Sequence, residues 1–148
     1  MIRGHLIAMG GRRRPFVLAH IVIPSQGISD DVNLLVDTGA DGTLLSPSDA
    51  ATLRIDLAQL SPGPPSTGVG GRVSTVYAQA MLTLDGLTYQ LPVRILAPRS
   101  REQQQALARI PSLLGRDILG HFALFFEERT DRVLLLTPQE ADALNLPR

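Results

Sequence analysis

Leu34-Leu35-Val36-Asp37-Thr38-Gly39-Ala40-Asp41 is the stretch on which the reading of this chain turns. An apolar run delivers a carboxylate, Asp37, into a tight loop of small residues. Thr38 offers a hydroxyl, Gly39 permits close backbone approach, and Ala40 leaves room above the loop. A second carboxylate, Asp41, follows four positions on. Asp, Thr and Gly are also ordinary turn residues, so the triplet alone fits a strand that ends in an Asx or Thr turn equally well. Its surroundings tip the balance.

Outward from that loop the chain reads as short strands separated by Gly and Pro. Leu6 to Met9 and Phe16 to Ile23 predict two strands around a Gly10-Gly11 turn, and Val32 to Val36 a third. Thr43 to Leu45 resumes extended structure. Ser46-Pro47-Ser48-Asp49 then has a capping hydroxyl, Pro at the first helical position and an acid near the positive end of the dipole. A short helix from Pro47 to Leu53 follows from it. Ser61 to Gly71, with three Pro and four Gly, reads as loop. Arg72 to Leu84 and Leu87 to Leu96 form a hairpin around Asp85-Gly86. Arg101 to Arg109 is compatible with a helix or with a mobile loop. Arg116 to His121 reads as helix, Phe122 to Phe126 and Val133 to Leu136 as a last hairpin. Thr137-Pro138-Gln139-Glu140 fits a capping box that opens a C-terminal helix to about Asn145.

Composition narrows the classes. The chain has 148 residues, 44% of them apolar and 19% charged, which suits one ordinary globular domain. Fourteen basic residues, all Arg, balance 14 acids, and a net charge of zero argues against an electrostatic nucleic-acid binder. No apolar run approaches the ~20 residues of a membrane-spanning helix. There is no Cys, hence no disulfide framework and no thiolate nucleophile or ligand, and no Lys for a Schiff base. The N-terminal apolar patch is followed by Arg12-Arg13-Arg14 without a cleavage signature, so it does not read as a signal peptide and a cytoplasmic setting is expected. The three arginines read as a solvated turn. His5, His20 and His121 have no acidic or metal-ligand spacing around them and read as structural or surface residues.

The stretch from Leu34 to Asp41 resembles the catalytic loop of retropepsin-like aspartic proteases, the single-lobe relatives of pepsin. Two further landmarks follow in the right order. Thr67-Gly68-Val69-Gly70-Gly71 is similar to a Gly-rich flap tip. Leu113-Leu114-Gly115-Arg116-Asp117-Ile118-Leu119 resembles the family's second apolar-Gly element and the Arg-bearing helix after it. The resemblance covers roughly Phe16 to Leu136. It implies a mainly β fold, a closed acid-protease barrel with short helices, one after the second apolar-Gly element and one at the C-terminus. It further implies one domain over 1–148, with its core at 16–136, an N-terminal hairpin extension at 1–15 and a C-terminal helix at 137–148.

The same resemblance implies an aspartic endopeptidase. Asp37 would be the catalytic aspartate, paired with Asp37 of a second copy across a homodimer. Thr38 would hydrogen-bond across to the partner loop. Gly39, Ala40 and Asp41 would line the substrate floor, and Gly68, Val69, Gly70 and Gly71 would form a flap that closes over peptide. Asp41 has two candidate partners of equal weight: substrate backbone, or Arg116 in a structural ion pair. Leu113, Leu114 and Gly115 would be structural. No metal or cofactor is implied, and the partners are a second copy and a peptide or protein substrate, with no nucleic acid and no membrane. A competing reading is a catalytically silent module that binds peptide or protein, since fold does not fix function. Two departures from the retroviral pattern stand out: a capped helix where terminal strands usually join subunits, and a long segment from Ala97 to Ser112.

Overall fold

The computed structural model describes residues 1–68 and 71–148. In chain order the elements are β1 (Ile2–Arg3), β2 (His5–Met9), β3 (Arg12–Ile23), β4 (Ile28–Val36), β5 (Leu44–Leu45), α1 (Pro47–Thr52), β6 (Ser61–Gly68), β7 (Gly71–Leu84) and β8 (Leu87–Leu96). There follow α2 (Arg101–Leu107), β9 (Leu113–Leu114), α3 (Arg116–Leu119), β10 (Ala123–Glu127), β11 (Arg132–Leu136) and α4 (Pro138–Ala143). The molecule is mainly β, as the sequence indicates.

Two sheets account for the strands. The larger has the order β2-β3-β4-β9-β5-β8-β7-β6, and a further pairing of β3 with β7 closes its middle into a ring. The smaller has the order β1-β11-β10. Turn chemistry sets the registers. Asp85 and Gly86 both take positive φ, 45° and 84°, the two-residue hairpin geometry that joins β7 to β8. Inside the ring, alternate residues of the long strands meet: Ile21, Ile23, Leu34, Leu82, Leu84 and Ile95 are fully buried. That period of two is the pleat of half-buried strands. Ile2 is also buried against the main core, so the first strand shares in it.

Two segments differ from the sequence reading, and at a third, Arg101 to Arg109, the structure has the helix of the two readings left open. Ser61 to Gly68 is a strand, not a loop. Its prolines are tolerated because β6 is an edge, paired only with β7, and the register shifts between Gly63 and Ser66 around Pro64 and Pro65. Arg12-Arg13-Arg14 begins β3 rather than forming a turn, and Arg13 forms an ion pair with Asp131 on the surface. The segment after Pro98 contains the helix α2, whose Ser100 side chain accepts from the Gln103 amide. Leu107 of that helix packs with Leu44, Val73 and Leu96 in a second, smaller core, flanked by Ile110 and Leu113.

Candidate active site

β4 ends at Val36, and its next residue is Asp37. The loop that follows is held at both ends by backbone contacts with the segment Ser112–Asp117. On the incoming side, Leu35 N donates to Ser112 O at 2.8 Å and Asp37 N to Leu114 O at 3.1 Å. These belong to a parallel pairing of β4 with β9, Leu35 with Leu113 and Val36 with Leu114. On the outgoing side, Arg116 N donates to Ala40 O at 2.9 Å and Asp117 N to Asp41 O at 3.1 Å. The chain thus passes through a clasp made by one short apolar segment and the first turn of α3.

Within the loop, Ala40 N donates to Asp37 O at 3.2 Å and closes a turn. Gly39 N donates to Asp37 Oδ1 at 2.9 Å, which fixes the rotation of the carboxyl group. A Cβ at Gly39 would lie 3.2 Å from that same oxygen, so only glycine leaves the contact unstrained. Asp37 is half-buried, while Thr38, Gly39 and Asp41 are exposed. The result is a half-buried carboxyl group oriented by its own loop.

Arg116 forms an ion pair with Asp41. Both side chains lie in solvent, 60% and 86% exposed, which places the pair among those that contribute about 0–1 kcal/mol. The backbone clasp beneath it carries more of the mechanical load. Gly115 shows why. A Cβ there would lie 2.3 Å from the carbonyl carbon of Gly42, so the two backbones cross in contact.

Two residues that sequence reasoning did not single out, Thr43 and Asp117, are central to this frame. Asp117 Oδ2 accepts from Thr43 N at 2.9 Å, and Oδ1 accepts from Thr43 Oγ1 at 2.7 Å and from Ile118 N at 2.9 Å. Thr43 Oγ1 in turn accepts from Gly115 N at 3.2 Å. Thr43 is 1% exposed, so these bonds satisfy groups that water cannot reach. Below them, the buried Ser112 hydroxyl accepts from Ser46 N at 2.9 Å and donates to Asp49. The available signal was the spacing of Gly115 and Asp117 on the segment that faces the loop, legible only once the parallel pairing is known.

Of the flap residues, Gly68 pairs with Gly71 at the mouth of the β6–β7 hairpin, and Gly71 has φ of 76°. Val69 and Gly70 lie outside the described residues. One residue along β7 from that pair, Gln103 of α2 donates to Arg72 O at 3.2 Å. Of the histidines, His20 does have an acidic neighbour: its Nδ1 lies 2.7 Å from Asp31 Oδ1, across the β3–β4 pairing. His121 stacks on Tyr89, with ring centroids 5.0 Å apart. Among the described residues, no group of three or more His, Asp or Glu could hold a metal ion. Among the described residues, no helix is long and apolar enough to cross a membrane.

Comparison with known proteins bears on this geometry. A family model described as aspartyl protease matches residues 26–118, from before β4 through the clasp into α3. No curated protein sequence matches the chain. Among solved structures, the chain is similar to EIAV protease complexed with the inhibitor HBY-793, at 23% identity and a TM-score of 0.53, over 77% of this chain and 92% of that one. It is also similar to a retropepsin-like aspartic protease from Rickettsia conorii, at 18% identity and a TM-score of 0.53, over 91% of each chain. At these identities the likeness is one of fold. With the family model covering most of the chain, and the loop and clasp inside it, the chain belongs to the aspartyl protease family and has the retropepsin-like fold.

Proposed function

We propose that two copies of this chain form an aspartic endopeptidase, each supplying one Asp37. The observation that carries the reading is the half-buried Asp37 carboxylate, oriented by Gly39 N and set in a loop clasped from behind by Ser112–Asp117. One chain contributes one such loop, and the chemistry needs two carboxyl groups with different protonation. Two carboxylates at contact distance share a proton, because both cannot ionise easily.

The ionised member takes a proton from a water held between the pair as that water attacks the scissile carbonyl carbon. The neutral member donates its proton to the carbonyl oxygen. The tetrahedral diol then collapses: the ionised carboxylate takes a proton from one diol hydroxyl as the C–N bond breaks, the other carboxyl group gives its proton to the leaving amine, and the pair again shares one proton. Thr38 hydrogen-bonds across to the partner loop and holds the two carboxyl groups in register. Gly39, Ala40 and Asp41 border the bound peptide, and the hairpin tip at Gly68, Val69, Gly70 and Gly71 covers it and excludes water. A cytoplasmic setting belongs to the same proposal.

The test is peptidase activity on a diverse peptide library across pH. The rate follows a bell-shaped profile whose two limbs belong to the pair rather than to one residue. Asp37→Asn lowers the rate by roughly 10²–10⁴-fold or more, the range that positioned acid–base groups supply. Its circular dichroism and melting stay close to those of the parent protein. Retained proteolysis in that variant overturns the assignment, and peptide binding without turnover in the parent marks a silent binding module instead.

A further inference from the structure

The outer face of the large sheet carries a second constellation of chemically able side chains. Ser29 and Asp31 of β4 stand opposite Val22 and His20 of β3. On the other side of β3, Val22 and His20 pair with Met81 and Thr83 of β7. Paired residues and residues two apart share a face, so all six lie on the outer face of three neighbouring strands. Ile21, Val32 and Leu82, from the alternate positions, are buried in the core. His20 stands at the centre. Its Nδ1 lies 2.7 Å from Asp31 Oδ1, and its Nε2 lies 2.8 Å from Ser29 Oγ. Asp31 precedes Asp37 by six positions of extended chain, roughly 20 Å, so this is a different place on the molecule.

The order of groups along the ring decides what they can do. An ionised carboxylate only accepts, so Asp31 holds the proton of the neutral imidazole on Nδ1 and leaves Nε2 to accept from the Ser29 hydroxyl. That is the relation of nucleophile, general base and orienting acid that activates a serine, and it is recognised by geometry rather than by order in the sequence. The backbone pairing of β3 with β4 fixes all three attachment points. Ser29 is exposed and the His20 side chain is half open to solvent, so a substrate reaches both without any rearrangement. Met81, across Val22 from Ser29, lines a cavity of about 370 Å³ together with Gln79, Gln90, Pro24 and Ser25.

We propose that Ser29 is a second nucleophile of this chain, an acyl acceptor for small activated esters, with His20 as its general base and Asp31 as the residue that positions the ring. Ser29 Oγ bonds to the ester's acyl carbon while His20 Nε2 takes the hydroxyl proton. The bond from acyl carbon to alcohol oxygen breaks, and Nε2 passes the proton to the departing alcohol, which leaves an acyl-serine. Water then attacks the acyl carbon and gives a proton to Nε2. The bond to Ser29 Oγ breaks, Oγ regains the proton, and a carboxylic acid is released. The apolar part of the ester lies over Val22, towards the cavity beyond it. This activity needs neither Asp37 nor a second copy of the chain, so it stands or falls independently of the peptidase reading.

The test uses the full chain carrying Asp37→Asn, which removes the aspartate chemistry from the background. With p-nitrophenyl acetate it should release nitrophenolate in a burst and then turn over. The natural chain has no Cys, so no thiol competes for the ester. An alkyl fluorophosphonate should label Ser29, located by peptide mass spectrometry. Ser29→Ala abolishes both the burst and the label. His20→Gln lowers the acylation rate by roughly 10²-fold or more, the range of a positioned base. Asp31→Asn lowers kcat with KM unchanged, because an amide can donate to Nδ1 and drive the ring proton onto Nε2. All three positions lie on the solvent side of the sheet, and the variants should keep the circular dichroism spectrum of the parent. Label spread over other exposed serines, Ser29 labelling that survives His20→Gln, a KM rather than a kcat effect at Asp31→Asn, or neither burst nor label each overturns the proposal and leaves only a hydrogen-bonded surface histidine.

Discussion

Glycine positions in and behind the Asp37 loop separate two kinds of requirement at the scale of single residues. At Gly115 a Cβ would meet backbone atoms of Gly42, at 2.3 Å from the carbonyl carbon and 2.5 Å from its oxygen. Backbone cannot swing aside as a side chain can, so Gly115→Ala must push the loop and the clasp apart. A loss of at least about 1–3 kcal/mol is expected, in the range of overpacked interiors, with activity lost alongside it. At Gly39 a Cβ would meet only Asp37 Oδ1, at 3.2 Å. Gly39→Ala is therefore expected to leave urea-denaturation midpoints nearly unchanged while peptidase activity falls, because the carboxyl group rotates to make room. Equal stability losses at the two positions would contradict this division. The role of Gly115 was legible in the sequence, since an apolar-apolar-Gly run needs a reason for its glycine. Thr43 and Asp117 were not, because their partnership spans 74 positions and exists only once β4 and β9 lie parallel.

Among elements, the β10–β11 turn has its own pH dependence. The Thr130 hydroxyl, then the guanidinium groups of Arg132 and Arg129, hold the Glu127 carboxyl below its usual range. A carboxyl lowered in the folded state adds stability above its unfolded pKa of about 4.5, and that stability is lost as pH falls through the folded value. Glu127→Gln should thus melt below the parent protein at neutral pH, with the gap closing as both are taken below pH 4.5. A gap unchanged by acid would mean that Glu127 acts through packing alone. Element types followed local chemistry where that chemistry is one-sided: the capping box at Thr137 and Glu140 does open α4. They were missed where a tertiary neighbour decides. Pro62, Pro64 and Pro65 forbid a central strand but not an edge, and only the β7 partner shows that Ser61–Gly68 is one. Gly63 has Thr75 and Tyr77 so close that a Cβ would lie 2.8 Å from each, and the Thr75 hydroxyl donates to Pro64 O at 2.6 Å. Likewise His20 and Asp31, 11 positions apart, become neighbours only through the β3–β4 register.

At the scale of the whole molecule, a ring of strands closed by the β3–β7 pairing presents one Asp37 loop per chain. If two loops are needed, the functional unit contains two chains related by symmetry, and a closed pair is the simplest solution. This has a consequence that a site complete within one chain cannot imitate. Suppose Asp37→Asn subunits, folded and competent to assemble, are mixed with a fixed amount of parent protein and allowed to exchange. Each parent subunit then finds a parent partner in proportion to the parent fraction, and mixed pairs have lost one of the two carboxylates. Activity should fall to about one half at equal amounts and to about one tenth with nine parts of variant, by random pairing of a two-fold dimer. A site contained in one chain predicts no loss at all, whatever the excess.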